Sequence, residues 1–172
     1  GPVLLNNSVN TVIGRASGGN QGGVASQRVD IEVIGPGRTL TLSNTGFVVN
    51  GIGVTLHANG DIISANPGGQ VTANGLGLIS DAGSIGSLTA PITLRGVGNL
   101  AARAAGSITL NSVATSAVNG IPAITSLFIG TAPGPGNSGT APGPGNTTLS
   151  GISACGNIGL FLGVYDIFGP GT

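Results

Sequence analysis

The acidic residues are the first candidates for chemistry, because a glycoside hydrolase places two carboxylates on either side of the bond that it cleaves. Asp30 and Glu32 lie two positions apart in a predicted strand, which puts both side chains on one face. The interval from Asp61 to Asp81 is shorter than the period of the repeat described below, so these two acids are not expected to stack. Since acidic side chains are mostly solvated at protein surfaces, we interpret Asp30 and Glu32 as two solvated carboxylates on an exposed strand, and we do not expect the protein to be an enzyme.

A metal or cofactor site is not predicted either. The chain has one histidine, His57, and one cysteine, Cys155, whereas a zinc site needs three or four protein ligands. The Gly-rich stretch 18–23 lacks the Lys-Ser/Thr pair of a phosphate-binding loop. We expect His57 to be solvated and Cys155 to be a small buried thiol, with a reactive or intermolecular thiol as the alternative.

A repeated pattern between residues 40 and 110 must position these side chains. In each copy an apolar or small residue is followed by three mostly small or polar residues, a glycine, one further residue and an apolar residue. A fixed period of roughly 20 to 50 residues is typical of solenoids, propellers and arrays, and short strands around a Gly turn favour a solenoid. The copies are TLSNTGFV (41–48), TLHANGDI (55–62), LISDAGSI (78–85) and AARAAGSI (101–108), with glycines Gly46, Gly60, Gly83 and Gly106.

The last three copies recur with one constant period, since the interval from Gly60 to Gly83 equals that from Gly83 to Gly106. Stacking at this period defines columns of equivalent side chains, and the glycines are expected to form turns with positive φ. The first copy precedes the second by less than one period, so it either lies on a different face or belongs to a shorter repeat. The predicted columns are Ile62, Ile85 and Ile108 on the inside, and His57, Ser80 and Arg103 on the outside.

The run VTLHANGDIISANPGGQVTANGLGLISDAGSIGSLTAPITLRGVGNLAARAAGSITLNS resembles the β-helical repeats of filamentous-haemagglutinin-type exoproteins, the secreted adhesins of bacterial two-partner secretion. The resemblance covers roughly residues 40–113 and rests on motifs of the type NGDI, AGSI and AAGSITL. It implies a right-handed parallel β-helix, export and adhesion rather than catalysis. The family's secretion domain carries an Asn-Pro-Asn-Gly signature, whereas this chain has Asn66-Pro67-Gly68-Gly69, and family members are longer. The chain is therefore expected to be a fragment, a processed product or a short relative.

Composition narrows the classes of partner. Hydrophobic residues make up 40% of the chain and charged residues 6%, which suits a thin aliphatic core rather than disorder. Five scattered arginines, no lysine and zero net charge argue against nucleic-acid binding, which needs clustered positive charge. No apolar run is long enough for a transmembrane helix, so a membrane span is not expected.

Three segments are predicted along the chain. Residues 1–130 form the solenoid, with the repeat region at 38–113. Residues 131–146 contain TAPGPGN twice and are expected to be a Pro/Gly-rich loop, because proline lacks the N–H that a strand ladder needs. Residues 147–172 form an apolar cap or a contact between subunits. The residues expected to make that contact are Leu160, Phe161, Leu162, Val164, Tyr165, Ile167 and Phe168.

The sequence therefore predicts an all-β protein, a right-handed parallel β-helix with an irregular Gly/Pro-rich loop and an apolar C-terminal segment. The expected function is that of a secreted structural protein whose copies stack end to end into a fibre or surface assembly. The alternative is a fragment of a large adhesin that binds a host glycan or surface protein. A polysaccharide-acting enzyme is the third possibility, which the scarcity of acidic and aromatic residues disfavours.

Overall fold

A computed structural model of the chain describes residues 3–13, 24–43, 47–65, 70–113, 128–129, 131–133 and 148–162. These residues form strands and turns, and no helix long and apolar enough to cross a membrane lies among them. The strands are β1 Val3–Asn7, β2 Thr11–Ile13, β3 Val24–Val33, β4 Leu40–Leu42, β5 Phe47–Ala58, β6 Ile62–Ser64, β7 Gln70–Ser80, β8 Ile92–Arg95, β9 Asn99–Ala104, β10 Ile108–Val113, β11 Phe128–Ile129, β12 Thr131–Pro133, β13 Thr148–Ser150, β14 Ile152–Ala154 and β15 Ile158–Leu162.

Parallel pairing dominates the architecture. The main sheet runs in the order β1-β3-β5-β7-β8-β10-β15, with β9 paired to β7 and with β11 and β14 paired to β9. A second sheet has the order β2-β4-β6, and isolated bridges continue its line of strands to β10. Among the described strands, only β12 and β13 pair in an antiparallel way. The fold is thus all-β with mostly parallel strands, each of which pairs with the strand one repeat further along the chain.

The core lies between the two sheets and is aliphatic. Strand alternation turns Val29, Ile31 and Val33 of β3 inward, and their exposed fractions are 1%, 0% and 0%. Branched aliphatic side chains fill the narrow space between the sheets. The largest fully buried side chains are Ile31, Leu40, Leu42, Leu56, Ile62, Leu76, Leu78, Ile85, Ile92, Leu94, Leu100 and Ile108.

The length of the repeat depends on the position within it. Ile62, Ile85 and Ile108 pair in succession with the predicted period, and all three are fully buried. Ser80 lies on the strand before this column, and it pairs with Ala58 and with Ala104. The sequence interval from Ala58 to Ser80 is one residue shorter than the period, and the interval from Ser80 to Ala104 is one residue longer. The stretch from Ser80 to Ile85 therefore holds one residue more than the equivalent stretches in the repeats before and after it.

This extra residue makes the predicted outward column wrong at its middle member. His57 pairs with Ile79, and Ile79 pairs with Arg103, so the column is His57–Ile79–Arg103. Ser80 points inward instead, with an exposed fraction of 1%, and its hydroxyl donates to the Gly60 carbonyl at 2.8 Å.

The position of the first copy of the pattern is also resolved. Its residues Thr41 and Leu42 belong to β4, which pairs with β6. The later copies begin one strand earlier in the repeat, on β5, β7 and β9. The first copy therefore lies on a different face, and its glycine, Gly46, falls outside the described residues.

Strands β12 and β13 are inserted between two strands that pair with β9. Strand β11 pairs with Asn99 and Leu100 of β9, and β14 pairs with Ala102 to Ala104 of the same strand. Between them in the chain, Thr131–Pro133 and Thr148–Ser150 pair as an antiparallel hairpin, β12–β13, that contacts β5, β7 and β9. The predicted loop 131–146 is thus a strand over its first three residues, while residues 134–147 lie outside the described part.

The predicted C-terminal segment continues the parallel sheet. Strands β14 and β15 pair with β9 and β10, and Leu160 packs against the core next to Leu110. Phe161 is 49% exposed, and Leu162 pairs with Ser112. The remaining residues of the proposed contact lie outside the described part of the chain, and these are Val164, Tyr165, Ile167 and Phe168.

We predict that Ile85→Asp prevents folding or lowers the free energy of unfolding by several kcal/mol, because it buries an unpartnered carboxylate between Ile62 and Ile108. Ile63→Asp is the matched control, since Ile63 lies on β6 with its side chain 38% exposed. Urea unfolding followed by circular dichroism measures both variants. Equal losses of stability in the two variants would contradict the assignment of the inner column.

Candidate functional site

A tripeptide motif closes four corners of the structure, each between a strand of the main sheet and the next strand of the repeat. We call these tripeptides the corner motifs. In each one, a glycine precedes a polar residue and an isoleucine. The corner motifs are Gly60-Asp61-Ile62, Gly83-Ser84-Ile85, Gly106-Ser107-Ile108 and Gly156-Asn157-Ile158.

The glycines of the corner motifs lie directly against the backbone of the preceding motif. A Cβ added to Gly83 would be 2.7 Å from the carbonyl carbon of Gly60, and one added to Gly106 would be 2.9 Å from the Gly83 oxygen. A Cβ on Gly156 would lie 3.1 Å from the carbonyl carbon of Gly106. Because a Cβ does not fit at such distances, these positions require glycine for its size.

The predicted reason for these glycines was wrong. The described glycines with positive φ are Gly35, Gly37, Gly86, Gly96 and Gly151, and the corner glycines are not among them. The backbone dihedral angles of the corner glycines are therefore ones that other residues can adopt. Other residues are excluded instead by the close approach of the neighbouring repeat, which leaves no room for a Cβ.

The polar residues of the corner motifs form a ladder of hydrogen bonds along the stack. Asp61 Oδ1 accepts from the backbone N–H of Ser84 at 2.6 Å. Ser84 Oγ accepts from the N–H of Ser107 at 3.0 Å, and Ser107 Oγ accepts from the N–H of Asn157 at 3.1 Å. We call this series the corner ladder. It explains why the middle residue is aspartate, serine or asparagine, since each offers a short side-chain acceptor.

Backbone bonds run beside the corner ladder. The N–H of Ile62 donates to the Ser84 carbonyl, that of Ile85 to Ser107 and that of Ile108 to Asn157, each at 2.9 Å. Each pair of successive motifs is therefore joined by a backbone bond and a side-chain bond, while the isoleucine side chain enters the core.

The fourth corner motif escaped the sequence interpretation. Asn157 follows Ser107 by 50 residues, whereas Ser107 follows Ser84 by 23. The longer interval arises because residues between β10 and β11 and the hairpin insertion separate the last two motifs. The signal was nevertheless present, since the tetrapeptide Cys155–Ile158 has the same Gly-polar-Ile order as the other copies.

His57, Asp81 and Arg103 form a polar cluster on the outside of the main sheet. His57 Nε2 lies 2.7 Å from Asp81 Oδ2, and Arg103 Nη2 lies 3.3 Å from Asp81 Oδ1. The side chains are 16%, 37% and 58% exposed, so the expectation of a solvated His57 was wrong. The cluster joins three successive repeats, and an exposed ion pair such as that of Arg103 and Asp81 contributes about 0–1 kcal/mol to stability.

The acids predicted as a possible hydrolase pair are engaged in the structure. Asp30 is only 4% exposed, so the prediction of a solvated carboxylate was wrong for this residue. Glu32 is half-buried and accepts a hydrogen bond from Asn6 Nδ2 at 3.4 Å. Asp61 belongs to the corner ladder, and it does not stack on Asp81. Glu32 and Asp61 therefore each contact a residue of a neighbouring repeat.

Cys155 was expected to be buried, but its thiol is exposed at the corner that precedes Gly156. The described residues contain no group of three or more His, Cys, Asp or Glu side chains that could hold a metal ion.

A shallow groove of about 580 Å³ runs beside the corner ladder. Its floor includes Gly86 and Thr109, and one wall is a loop that carries Leu88, whose side chain is 78% exposed. Gly86 has a φ of 65°, which turns the chain out of the sheet at the start of that loop. The groove offers apolar and hydroxyl groups to a ligand and contains one acid, Asp61.

Comparison with known proteins gives no family for this chain. No family model matches it, and neither a curated protein nor a solved structure does so. The functional reasoning therefore depends on the geometry above and on the resemblance of the repeat motifs.

We predict that Gly83→Ala lowers the free energy of unfolding by about 1–3 kcal/mol, because the new Cβ overpacks the backbone of Gly60. Gly159→Ala is the control, since a Cβ there meets its nearest atoms at 3.7 Å. Chemical denaturation of both variants measures the difference. If Gly83→Ala proved as stable as Gly159→Ala, close backbone approach would not be the reason for the corner glycines.

We also predict that Asp61→Ala costs about 1–3 kcal/mol, because the Ser84 N–H loses its acceptor. Asp61→Ser should recover most of this loss, since serine fills the same position in the next two motifs. Thermal unfolding of the three proteins tests the order of stability. A serine variant no better than the alanine variant would show that the carboxylate charge, rather than the acceptor, is what matters.

Proposed function

We propose that the chain is a right-handed parallel β-helix and works as an extracellular structural protein, a unit of a fibre or surface assembly stacked end to end. Parallel pairing of equivalent strands one repeat apart, with corners between two sheets, supports the β-helix. The right-handed sense follows from the strong preference of parallel strand connections for that hand, and from the family resemblance. Export to the cell exterior is inferred from the same resemblance.

A structural role agrees with how the chain uses its reactive side chains. Asp61 and the serines of the corner ladder bond to neighbouring repeats, and Asp81 is shared between His57 and Arg103. These contacts cross from one repeat to the next along the stack. Side chains committed to such bonds are poorly available for acid–base chemistry, which would require free groups facing a substrate.

The corner ladder is the single observation that carries the proposal of stacking. Asp61, Ser84 and Ser107 each accept the N–H of the next motif along the chain, and the series ends at the N–H of Asn157. Within the part of the chain that the structure describes, β1 and β15 are the outermost strands of the main sheet. Outermost strands offer backbone donors and acceptors to another β-structure, and low net charge reduces the repulsion between copies.

The groove beside the corner ladder favours a second function, that of a surface-binding fragment of a large adhesin. Its exposed apolar side chains, Leu88, Ile63 and Ile158, together with the ladder hydroxyls could contact a host glycan or protein. A protein that acts in this way would stay monomeric and bind its ligand through the side of the rod. An enzyme that acts on polysaccharide is the least supported function, because Asp61, the one acid of the groove, accepts a hydrogen bond from the next repeat.

We predict that the full chain associates reversibly as its concentration rises, and that Asn157→Leu weakens this association. Leucine has a similar volume but no acceptor for the N–H of a following copy. Asn157→Ser is the matched control, because serine retains the acceptor. Sedimentation velocity over a range of concentrations measures the association, and negative-stain microscopy shows whether rods lengthen. A chain that stays monomeric at the highest soluble concentration would refute end-to-end stacking and favour the adhesin fragment.

A further inference from the structure

The groove beside the corner ladder is a binding site on the side of the stack. We infer that it takes a neutral, linear glycan whose chain lies along the stack axis and whose hydroxyl groups bond to side chains of the corner ladder. The inference rests on the second function proposed above and deepens it, because it names the ligand and the groups that hold it. It does not require end-to-end stacking of copies.

The groove exists because one repeat carries a loop that the next two repeats lack. Ile85 and Ile92 are separated by residues 86–91. Their pairing partners in β10 have only Thr109 between them, and the equivalent residues of β15 have only Gly159. The chain therefore projects from the sheet in one repeat and runs straight in the two that follow. The projecting loop forms the wall of the groove, and the straight strands form its floor.

The wall is held in place by hydrogen bonds of its own. The N–H of Ser87 donates to the Ala90 carbonyl at 3.1 Å, and the N–H of Ala90 donates back to the Ser87 carbonyl at 3.2 Å. The N–H of Ala90 also donates to Ser87 Oγ at 3.0 Å. This closed turn holds Leu88 with its side chain 78% exposed. A wall that is already formed lowers the entropic cost of binding a ligand.

The polar side of the groove has hydrogen-bonding groups that the stack leaves unused. Ser84 Oγ and Ser107 Oγ each accept one N–H in the corner ladder, and neither hydroxyl donates its own hydrogen to any described residue. Asp61 uses Oδ1 in the ladder, while its Oδ2 has no partner in the described part of the chain. The side-chain amide of Asn157 adds a donor and an acceptor at the last corner. Because successive strands lie about 4.8 Å apart, these groups form a row along the stack axis.

Apolar side chains provide the remaining contacts. Leu88 and Ile63 line the groove, and the Ile63 side chain is 38% exposed. The Phe161 ring lies 3.7 Å from the position that a Cβ on Gly159 would take, and it is 49% exposed beside the floor. Sugar rings have apolar C–H faces as well as hydroxyl groups. A surface that combines apolar side chains with a row of free hydroxyl, amide and carboxylate groups matches both.

The row favours a glycan over a peptide or an anion. One sugar residue of an extended β-linked glycan advances about as far as one repeat of the stack, so successive sugars reach successive corners. An extended peptide bound to a β-structure gains its main-chain hydrogen bonds at a free strand edge. The floor pairs Thr109 with Gly159 and so offers a sheet face instead of an edge. The charged residue of the groove is Asp61, whose carboxylate repels an anionic ligand.

The test is isothermal titration calorimetry of the full chain with the neutral hexasaccharides cellohexaose, xylohexaose and N-acetylchitohexaose. We expect at least one of them to bind and free glucose not to bind, because a single sugar reaches only one step of the row. Leu88→Ala and Asp61→Ser should each weaken binding by about tenfold or more, as loss of a central contact implies. Serine at position 61 keeps the ladder acceptor, and circular dichroism verifies that the variants are folded.

Val12→Ala is the matched control. Val12 belongs to the same outward column as Ile63, through Thr41, and its side chain is 66% exposed. It lies outside the groove, so its replacement should leave glycan binding unchanged. Equal weakening by Val12→Ala and Leu88→Ala would place the ligand elsewhere and overturn the inference.

The other outcomes separate this inference from the proposed functions. Failure of every hexasaccharide to bind at millimolar concentration overturns the inference. Binding that Leu88→Ala and Asp61→Ser leave intact also overturns it, although a function in surface binding then stands. If the chain instead selects peptides from a random decapeptide library and Leu88→Ala abolishes that selection, the groove is a protein-binding site and the inference is wrong. Sedimentation velocity of the natural chain reports stacking separately, so its result does not decide the nature of the ligand.

Discussion

The close approach of backbone to backbone at the corner motifs is the constraint on which the rest of the structure depends. Neighbouring parallel strands lie about 4.8 Å apart, and that spacing must be kept where the chain leaves one sheet for the next. At Gly83 and Gly106 the space for a Cβ is taken by the preceding repeat. At this spacing the residue after the glycine bonds to the neighbouring repeat, and the isoleucine after it is buried in the core.

In the corner ladder, residue types that are common at protein surfaces connect neighbouring repeats along the stack. A serine or aspartate at a turn usually bonds to its own backbone or to water. Here Asp61, Ser84 and Ser107 each bond to the backbone of the next repeat. The cluster around Asp81 does the same on the outside of the main sheet. The chain has few charged residues, and these polar side chains form their contacts between repeats.

The sequence interpretation succeeded where local pattern decides the structure and failed where distant segments do. The constant period of the repeat identifies the positions of Ile62, Ile85 and Ile108, because inward residues must recur with the strands. One extra residue after Ser80 changes the partner of His57, and a fixed period cannot reveal where an insertion lies. The pattern also identifies the corner glycines. Glycine is required there because of steric contact with another repeat, and a local sequence pattern does not reveal that contact.

Burial of the outward face is the clearest case of a distant effect. Thr55 and Ala101 point away from the core, yet they are 2% and 0% exposed. Asp30 lies beside Thr55 in the same sheet and is buried as well. The hairpin β12–β13, which follows β11 in the chain, contacts β5, β7 and β9. Alternation along a strand predicts which residues point outward, but not that a segment inserted elsewhere returns to cover them.

A repeated structure of this kind has no length of its own, because each repeat presents to the next the surface that it received from the previous one. The corners are nevertheless not all alike. Arg38 stands before Leu40 as Gly60 stands before Ile62, and Leu40 pairs with Ile62, so a residue with a Cβ fills the glycine position in that corner. The stretch between Val33 and Leu40 is longer than that between Ala58 and Ile62. Glycine is therefore required where a corner is short, and the length of the corner decides which side chains the stack can hold.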